Sequence, residues 1–365
     1  MPRSVALFML CILSLTCRES LGPEPNTTVV ADPPWIALLV GDSATISVAR
    51  RADPGQTLSD SLVTWRSSHP GRASAAGGVV RAPAQGVVTL TAHTPEGIAT
   101  AIVVVTPPTL LAAGDIAHCG RTGDEQTAAL IDGLPGIVLP LGDNAYEDGT
   151  RAQYNGCYHP SWGRHRDRSR PVPGNHDYQT PGAAGYYGYF GGQAGDSGVG
   201  YYSWDLAGWH LVALNTNVSM AAGSPQETWL RADLAAHPAL CTLAYWHHPT
   251  FSSSTARRLS ATRPLWLALR QAGAEVILAG HAHNYERFAP QTSLAEADAE
   301  GVRLFVAGTG GHSHHPFDTV AANSEVRDST SFGVLTLALR SDGYSWRFAP
   351  VTGASFSDSG SATCH

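Results

Sequence analysis

Short runs of alternating apolar and polar residues follow one another between residues 35 and 106. They cover residues 45–49, 62–66, 87–92 and 99–105, and turns rich in glycine, proline and serine separate them. Alternation with a period of two is typical of strands that bury one face, and several such strands at short spacing indicate a small β-sandwich. The pattern therefore predicts an all-β module over residues 35–106, preceded by a proline-containing linker over residues 18–34.

The pattern changes after Pro107 and Pro108. Continuous apolar runs now recur at wider spacing, as in strands that are covered on both faces. They lie at residues 109–114, 136–141, 209–214, 241–245, 274–279 and 302–307. Helices are expected from Ser224, an N-cap with Glu227 completing a capping box, to about residue 237, and over residues 263–271. A hairpin is expected to turn at residues 341–343. Residues 109–365 thus predict an α/β domain.

The first 17 residues have the proportions of a secretion signal. Arg3 precedes an apolar stretch over residues 5–15, which is too short to span a bilayer. Plain cleavage and lipid modification of Cys17 are both open, and the second would anchor the protein to a membrane. We therefore expect an exported protein that is periplasmic, extracellular or anchored as a lipoprotein.

Cysteine usage agrees with export. Of the six cysteines, Cys11 and Cys17 lie in the expected signal, which leaves four. An even number in an exported chain favours disulfides, and four cysteines allow three pairings. Loops that flank one predicted site favour a pair between Cys119 and Cys157, and the pair between Cys241 and Cys364 would then hold the C-terminal tail.

Charge and composition exclude or disfavour several classes of function. The net charge is −7 and all 23 basic residues are arginine. Neither nucleic acid as the main partner nor an anionic membrane surface is favoured by this balance. Because the chain has no lysine, enzymes that depend on a lysine amine are excluded, among them P-loop hydrolases and Schiff-base enzymes.

Metal-ligand residue types end the predicted strands of the second domain. They are Asp115, Asp143, Tyr146, Asn175, His176, Asp177, His247, His248, His281 and His283. In open α/β sheets the ligand site lies at the carboxyl ends of the strands, so we expect these side chains to converge. Carboxylate, phenol, amide and imidazole without thiolate suit two cations that share one carboxylate. Glycine precedes the first ligand in four of the strand ends, as expected where backbone approaches an ion closely.

The motifs G-D, G-D-x-x-Y, G-N-H-D, x-x-x-H-x-P and G-H-x-H occur in this order over residues 110–348. The set resembles the calcineurin-like metallophosphoesterases, and GDNAY and GHAHNYER are similar to the purple acid phosphatase branch. The resemblance implies a sandwich of two central β-sheets flanked by helices. It also implies two metal ions, Fe(III) with a divalent zinc, iron or manganese ion.

The resemblance also assigns the ligands. One metal would take Asp115, Asp143, Tyr146 and His283; the other would take Asp143, Asn175, His247 and His281, with Asp143 bridging. His176 would act in catalysis as a proton donor, and the expected substrate contacts are Asn144, His176 and His248. His118 is three residues after Asp115 and out of phase with it, so it is left out of the ligand set.

The stretch from Ser61 to Thr106 resembles the group 2 bacterial immunoglobulin-like domains, which have a V-T-W strand before a serine-rich turn. The likeness implies a bacterial source for the chain. It also implies a spacer, or a module that contacts a glycan or a cell surface.

The leading functional hypothesis is an exported phosphomonoesterase that uses a hydroxide activated by two metals. A phosphodiesterase or nucleotidase with the same site is the alternative within enzymes. A surface-binding protein with an inert metal domain is the alternative from another class.

Four features have open interpretations. His248 is either a packing residue or a phosphate contact. Residues 164–170, with four arginines, form a solvated loop or an anion-attracting rim. The aromatic segment 186–192 packs in a loop or forms a mobile lid. The histidines after GTGG, His312, His314 and His315, lie in a solvated loop or bind metal.

Overall fold

The protein is described by a computed structural model that covers residues 28–365. The expected signal, Cys17 and the first part of the expected linker lie outside this range. None of the described helices is both long and apolar enough to cross a membrane.

Ten strands form the described part of the N-terminal module. They are β1 (Val29–Asp32), β2 (Trp35–Leu38), β3 (Ser43–Thr45), β4 (Ser47–Arg50), β5 (Asp53–Thr57), β6 (Thr64–Ser67), β7 (Ser74–Ala76), β8 (Val79–Arg81), β9 (Gly86–Thr94) and β10 (Gly97–Val105). They build a four-stranded sheet, β2-β10-β9-β6, and two three-stranded sheets, β1-β4-β5 and β3-β8-β7. Their inward-facing apolar side chains form a separate core. The module is all-β as expected, and its immunoglobulin-like character stays a prediction.

Two details of the module differ from the sequence pattern. β1 lies inside the segment expected to be linker, where Val30 pairs with Ala49 of β4. The run over residues 45–49 is not one strand, because the chain passes at Ile46 from β3, which pairs with β8, to β4, which pairs with β1. Alternation alone does not reveal such a change of sheet.

Fourteen strands form the C-terminal domain. They are β11 (Thr109–Ala113), β12 (Ala117–His118), β13 (Ile137–Pro140), β14 (Ala145–Tyr146), β15 (Tyr202–Leu206), β16 (Trp209–Ala213), β17 (Cys241–Trp246), β18 (Val276–Ala279), β19 (Tyr285–Phe288), β20 (Arg303–Ala307), β21 (Ser324–Asp328), β22 (Gly333–Arg340), β23 (Gly343–Pro350) and β24 (Ser359–Thr363). One sheet has the order β13-β11-β22-β23-β24, and the other has the order β15-β16-β17-β18-β20-β19-β21. β12 and β14 pair with each other at the site end of the domain.

The two large sheets pack face to face. Leu110 and Leu139 from one sheet meet Leu243 and Leu278 from the other in a shared core. The five α-helices are α1 (Gly123–Asp132), α2 (Arg151–Gln153), α3 (Ala184–Phe190), α4 (Pro225–Ala236) and α5 (Arg263–Gln271). α4 and α5 cover the outer face of the seven-stranded sheet, while α1 and α3 cover the five-stranded one. The predicted mixed α/β architecture is therefore present.

Most predicted elements of this domain form within two residues of their expected bounds, but three details differ. The Ser224 side chain accepts from the Glu227 N–H as an N-cap should, whereas the Glu227 carboxylate accepts from Gly223 rather than completing the capping box. No strand leads into Asn175, since residues 169–172 make only isolated bridges with the β13 segment. The sequence pattern did not predict helices α1, α2 and α3 or strands β12, β14, β15, β19, β21 and β24.

Two disulfides close loops of the C-terminal domain. One joins Cys119 and Cys157, and the other joins Cys241 and Cys364. This is the pairing favoured from the sequence. The first disulfide ties the segment after Asp115 to the segment after Tyr146, so it holds two strand ends of the predicted site together.

A buried histidine away from the predicted site gives a test of the fold. His210 on β16 is 2% exposed, and its two ring nitrogens lie 2.8 Å from Asp205 Oδ1 and 2.9 Å from Asp233 Oδ2. Burial lowers the pKa of His210, but the hydrogen bonds with Asp205 and Asp233 raise it more, to about 9. The folded-state pKa thus exceeds the unfolded value of about 6.5. The ion pairs are therefore expected to stabilise the fold fully below about pH 6.5 and to lose this effect as the pH rises through about 9.

We expect His210→Gln to lower the free energy of unfolding by about 1–3 kcal/mol near pH 6, a range discounted because Asp205 is largely exposed. The difference between the free energies of unfolding of the variant and the wild type should shrink at about pH 10. Denaturant unfolding of both proteins across this range measures it. His93→Gln, at an exposed position on β9, is the matched control and should show no such trend. If His210→Gln lowers the free energy of unfolding equally at the low and the high end of this pH range, the charged pairing of His210 is contradicted.

Candidate metal centre

The candidate ligands come from strand ends that meet at one edge of the sandwich. Asp115 follows β11 and Asp143 follows β13, and these two strands are parallel neighbours. His247 follows β17 and His281 follows β18, which are parallel neighbours in the other sheet. Because parallel strands end at the same edge, both sheets direct polar side chains into one space.

The first set of ligand atoms surrounds Tyr146. The Tyr146 hydroxyl lies 2.9 Å from Asp115 Oδ1, 3.1 Å from Asp143 Oδ2 and 3.1 Å from His283 Nε2. His283 Nε2 is also 3.1 Å from Asp115 Oδ1. The structure therefore brings together the four residues expected to hold the first metal.

The second set surrounds His247. Its Nε2 atom lies 3.2 Å from Asp143 Oδ2, 3.2 Å from Asn175 Oδ1 and 3.2 Å from His281 Nδ1. These are the four residues expected to hold the second metal. The same oxygen of Asp143 belongs to both sets, which is the geometry required of a bridging carboxylate.

These separations fit metal coordination. Bonds of about 2.1 Å to one ion place neighbouring ligand atoms roughly 3.0–3.4 Å apart in octahedral or tetrahedral geometry. The observed 2.9–3.2 Å lie at this spacing. Two buried carboxylates beside a phenol and three imidazoles are also a donor set that suits cations.

The backbone at the ligands is strained. Asp115, Asp143, His281 and His283 have φ values of 61°, 50°, 68° and 47°, in the left-handed region that residues with a Cβ rarely adopt. Such strain persists where the surrounding structure enforces it, and it concentrates at functional sites. The turns at these strand ends therefore aim the side chains into the centre at a cost in local stability.

Glycines permit the close approach of the ligand loops. A Cβ on Gly142, whose φ is 86°, would lie 2.6 Å from His247 Nδ1. A Cβ on Gly174 would lie 2.1 Å from Asp143 Oδ1. The glycines before Asp143 and Asn175 are thus required by packing against other ligands, as the sequence pattern predicted.

Opposite charges compensate the buried ligands. Burial raises the pKa of Asp143, but His247 lowers it further, to about 2. Burial likewise opposes ionisation of Asp115, and the neighbouring His283 lowers the pKa of that carboxyl well below its usual range. Burial and the two carboxylates raise the pKa of Tyr146. The imidazoles thus favour the ionised form of both carboxylates, and the carboxylates favour the protonated form of the phenol.

Hydrogen bonds from outside the two sets orient the histidines. His247 Nδ1 donates to the Leu141 carbonyl at 2.8 Å, and His283 Nδ1 lies 2.7 Å from the Ser313 hydroxyl. Each bond occupies one ring nitrogen and leaves Nε2 facing the other candidate ligands. Metal-binding histidines are commonly fixed by such a partner. No sequence motif indicated that Ser313 would hold a ligand in place.

A family model described as calcineurin-like phosphoesterase matches residues 104–285. The chain carries a calcineurin-like phosphoesterase domain. The match spans every candidate ligand from Asp115 to His283.

The curated relatives agree. Purple acid phosphatase 15 of Arabidopsis thaliana is 26% identical over 56% of this chain and 45% of its own length. Purple acid phosphatase 21 of the same plant is 35% identical over 31% of this chain and 27% of its own length. The chain spans less than half the length of either relative.

Solved structures share the fold. The purple acid phosphatase PPD1 isolated from yellow lupin (Lupinus luteus) seeds superposes with a TM-score of 0.57 at 15% identity, over 88% of this chain and 68% of that one. GAP50, the anchor in the inner membrane complex of Plasmodium, superposes with a TM-score of 0.55 at 13% identity, over 70% of this chain and 89% of that one. At these identities the likeness concerns the fold alone.

The expected proton donor lies at the rim of the phosphoesterase site. The His176 backbone N–H donates to Asp143 Oδ1 at 2.7 Å, and its Nδ1 donates to the Glu147 carbonyl at 2.5 Å. The ring packs on Tyr146 with centroids 4.5 Å apart and stays partly exposed. His176 is thus fixed through one nitrogen beside both ligand sets, with Nε2 free to meet a substrate.

His248 lies next to the second ligand set. Its Nδ1 is 2.8 Å from the Thr216 hydroxyl, and its ring centroid is 4.5 Å from that of His281. Burial lowers the pKa of His248 to about 2. A neutral ring held by Thr216 can pack and accept or donate a hydrogen bond, so both interpretations of His248 stay compatible with its place.

The side chain of Asn144, an expected substrate contact, forms hydrogen bonds inside the protein, and its substrate role stays a prediction. Asn144 is fully buried, and its amide donates to the Val172 carbonyl at 3.2 Å and to Asp177 Oδ2 at 3.1 Å. Asp177 also accepts from Gly174 N at 2.8 Å and from the Tyr154 hydroxyl at 2.5 Å. Asn144 and Asp177 therefore hold the loop of Asn175 in place behind the centre.

The histidines after GTGG are not in a solvated loop. The His312 ring stacks on Tyr146 at 3.7 Å, the His315 ring stacks on His283 at 3.9 Å, and His314 stacks on Phe332. None of them enters the two ligand sets. His312 and His315 thus pack against ligand rings, a contact that requires the fold to bring distant segments together, whereas His314 does not.

The arginine run and the aromatic segment also have structural roles. Arg168 donates to three carbonyls, those of Ile131, Leu134 and Gly136, at and just after the end of α1. Arg168 therefore packs against the end of α1, whereas Arg164 is exposed beside Asp132. The aromatic segment includes most of α3, and the Tyr186 and Phe190 side chains are buried in the core. The lid interpretation is therefore wrong for these side chains.

Proposed function

We propose that this protein is an exported, metal-dependent phosphomonoesterase. The observation that carries the proposal is the shared oxygen: Asp143 Oδ2 lies 3.1 Å from Tyr146 of one ligand set and 3.2 Å from His247 of the other. Two sites built around one carboxylate suit two close cations. Such pairs serve hydrolysis of phosphate esters by in-line attack.

The proposed ligands are Asp115, Asp143, Tyr146 and His283 for one ion and Asp143, Asn175, His247 and His281 for the other. A phenol and two carboxylates favour a hard trivalent ion, Fe(III), in the first position. Two imidazoles and an amide favour divalent zinc, iron or manganese in the second. Bound there, the ions would activate water and neutralise charge on the phosphate oxygens.

The chain itself would supply proton transfer and position. His176 stands at the rim with one nitrogen held by the Glu147 carbonyl, so its free nitrogen is proposed to protonate the leaving oxygen. His248, held by Thr216 beside the second set, is proposed as a phosphate contact.

Export is part of the proposal. The two disulfides are typical of oxidising compartments, and they accord with the expected signal at residues 1–17. A bacterial source and a glycan or surface contact of the N-terminal module stay predictions.

The proposal is tested by metal content and two substrates. We expect the purified protein to hold two metal ions per chain and to hydrolyse p-nitrophenyl phosphate faster than bis-p-nitrophenyl phosphate, because a diester has fewer oxygens for two cations to neutralise. Chelator-treated protein should lose the activity and regain it with added metal. Faster diester hydrolysis would favour the phosphodiesterase. Metal-loaded protein that cleaves neither substrate would favour a binding protein.

A further inference from the structure

A cavity of about 470 Å³ lies at the junction of the N-terminal module and the phosphoesterase domain. Its walls include Pro34, Ile36 and Ala44 of the module and Arg170, Tyr202 and Trp204 of the domain. A volume of this size suits a small organic ligand. None of the lining residues is a candidate metal ligand, so the cavity is separate from the centre described above.

One buried cation faces this cavity. Arg170 is 7% exposed, and the centre of its guanidinium lies 4.6 Å from the Trp35 ring, 4.4 Å from the Tyr202 ring and 5.8 Å from the Trp204 ring. Within residues 28–365, its guanidinium has neither a carboxylate partner nor a hydrogen-bond acceptor. Only the backbone N–H of Arg170 is bonded, to the Val138 carbonyl at 2.8 Å.

Aromatic stacking does not satisfy this side chain. Rings over the face of a guanidinium attract its charge, but the N–H donors point outward in its plane. A buried charge without an acceptor is costly. The Arg170 Nε atom is fully enclosed, so only the terminal nitrogens can reach the cavity. The surrounding rings are fixed in turn, since Trp35 donates to the Asp167 carbonyl at 3.0 Å and Tyr202 donates to the Pro171 carbonyl at 2.7 Å.

We propose that the junction cavity binds a monocarboxylate carried on an apolar body. A carboxylate matches the two-pronged donor geometry of a guanidinium, and one negative charge balances the single positive charge of Arg170. The proline, isoleucine and alanine wall suits an apolar body. Asp205, 68% exposed at the cavity, disfavours a more highly charged anion such as a phosphate dianion.

Both structural units contribute walls, so an occupant would contact the two at once. Binding at this place would add contacts between the N-terminal module and the phosphoesterase domain, and it would stabilise their junction by mass action. The inference does not depend on the proposed phosphatase activity.

The test uses the full chain with benzoate as the probe. We expect isothermal titration calorimetry to detect benzoate binding at millimolar concentration or below. Benzyl alcohol, which has the same ring without the charge, should bind far more weakly. Equal binding of the two probes, or no binding of benzoate, would overturn the proposal.

Two variants localise the binding. Arg170→Gln removes the charge and is expected to weaken benzoate binding about tenfold or more. Gly192→Leu adds a side chain at an exposed position in the cavity wall, where a Cβ meets no atom within 4 Å. It should abolish the binding. Gly71→Leu makes the same change at an open position outside the cavity and should bind as the wild type does.

Gly192→Leu distinguishes binding in the junction cavity from binding at the metal centre even if Arg170→Gln does not fold. Benzoate held at the metal centre would bind to Gly192→Leu as strongly as to the wild type, and that result would contradict the proposal. Loss of binding in Gly192→Leu with retention in Gly71→Leu would support it.

Discussion

Asp143→Asn is expected to lower kcat/KM for p-nitrophenyl phosphate by about 10³-fold or more, because the loss of a shared ligand removes several kcal/mol of transition-state stabilisation. The Asp143 carboxylate is buried, and its Oδ2 atom belongs to both ligand sets. An amide there is neutral and presents a single acceptor oxygen, so it cannot bridge two cations as a carboxylate does. Metal content should fall from two ions per chain, as measured by mass spectrometry of the digested protein.

A matched substitution shows whether the loss of a carboxylate matters only at the metal centre or also close to it. Asp148→Asn makes the same chemical change five residues later, at an exposed side chain outside both ligand sets. Its activity and metal content should equal those of the wild type. The unfolding temperature of each variant shows whether the fold is intact. Asp143→Asn protein that keeps both metals and full activity would rule out Asp143 as the bridging ligand.

The centre was predictable because its signals are local. Asp115 and Asp143 follow parallel neighbours of one sheet, and His247 and His281 follow parallel neighbours of the other, so each pair was expected to share an edge once the strands were recognised. The glycine before Asp143 gave a second local signal, since only a residue without a Cβ fits beside His247. The disulfide partners followed from loops that flank the same edge.

The supporting residues were not predictable in this way. Asn144 stands beside a ligand in sequence, yet its side chain turns inward to Asp177, and nothing local to the sequence fixes that direction. His312 and His315 stack on ligands that precede them by 166 and 32 residues, a contact that only the folded chain creates. The polar edge strands β21 and β24 were missed because they lack the apolar run that marks a buried strand.

Arg170 shows the same limit within a single run of charges. In the sequence it belongs with Arg164, Arg166 and Arg168, and the run predicts solvent exposure or a charged rim. In the structure Arg164 pairs with Asp132 at 2.8 Å, while Arg170 is enclosed by three aromatic rings. Charge patterning describes the composition of a surface, but the path of the backbone decides which members are buried.

His176→Asn should reduce hydrolysis of an alkyl phosphate about 10²–10³-fold, the usual loss when a general acid is removed. An alkoxide is a poor leaving group and needs a proton as the bond breaks. The nitrophenolate of p-nitrophenyl phosphate is a good leaving group, so its hydrolysis should fall only about tenfold or less. Asparagine retains an N–H that can reach the Glu147 carbonyl, which His176 Nδ1 contacts at 2.5 Å, but it cannot transfer a proton.

The role of His176 follows from comparing the loss of rate on the alkyl phosphate with the loss on p-nitrophenyl phosphate. A residue that only binds phosphate contacts the group that both substrates share, so its removal would slow both equally. A proton donor acts on the leaving oxygen, where the substrates differ. His69→Asn, at an exposed histidine of the N-terminal module, controls for the substitution itself and should leave both rates unchanged. Equal losses on the two substrates would therefore assign His176 to phosphate binding and leave the leaving group to be protonated by another donor.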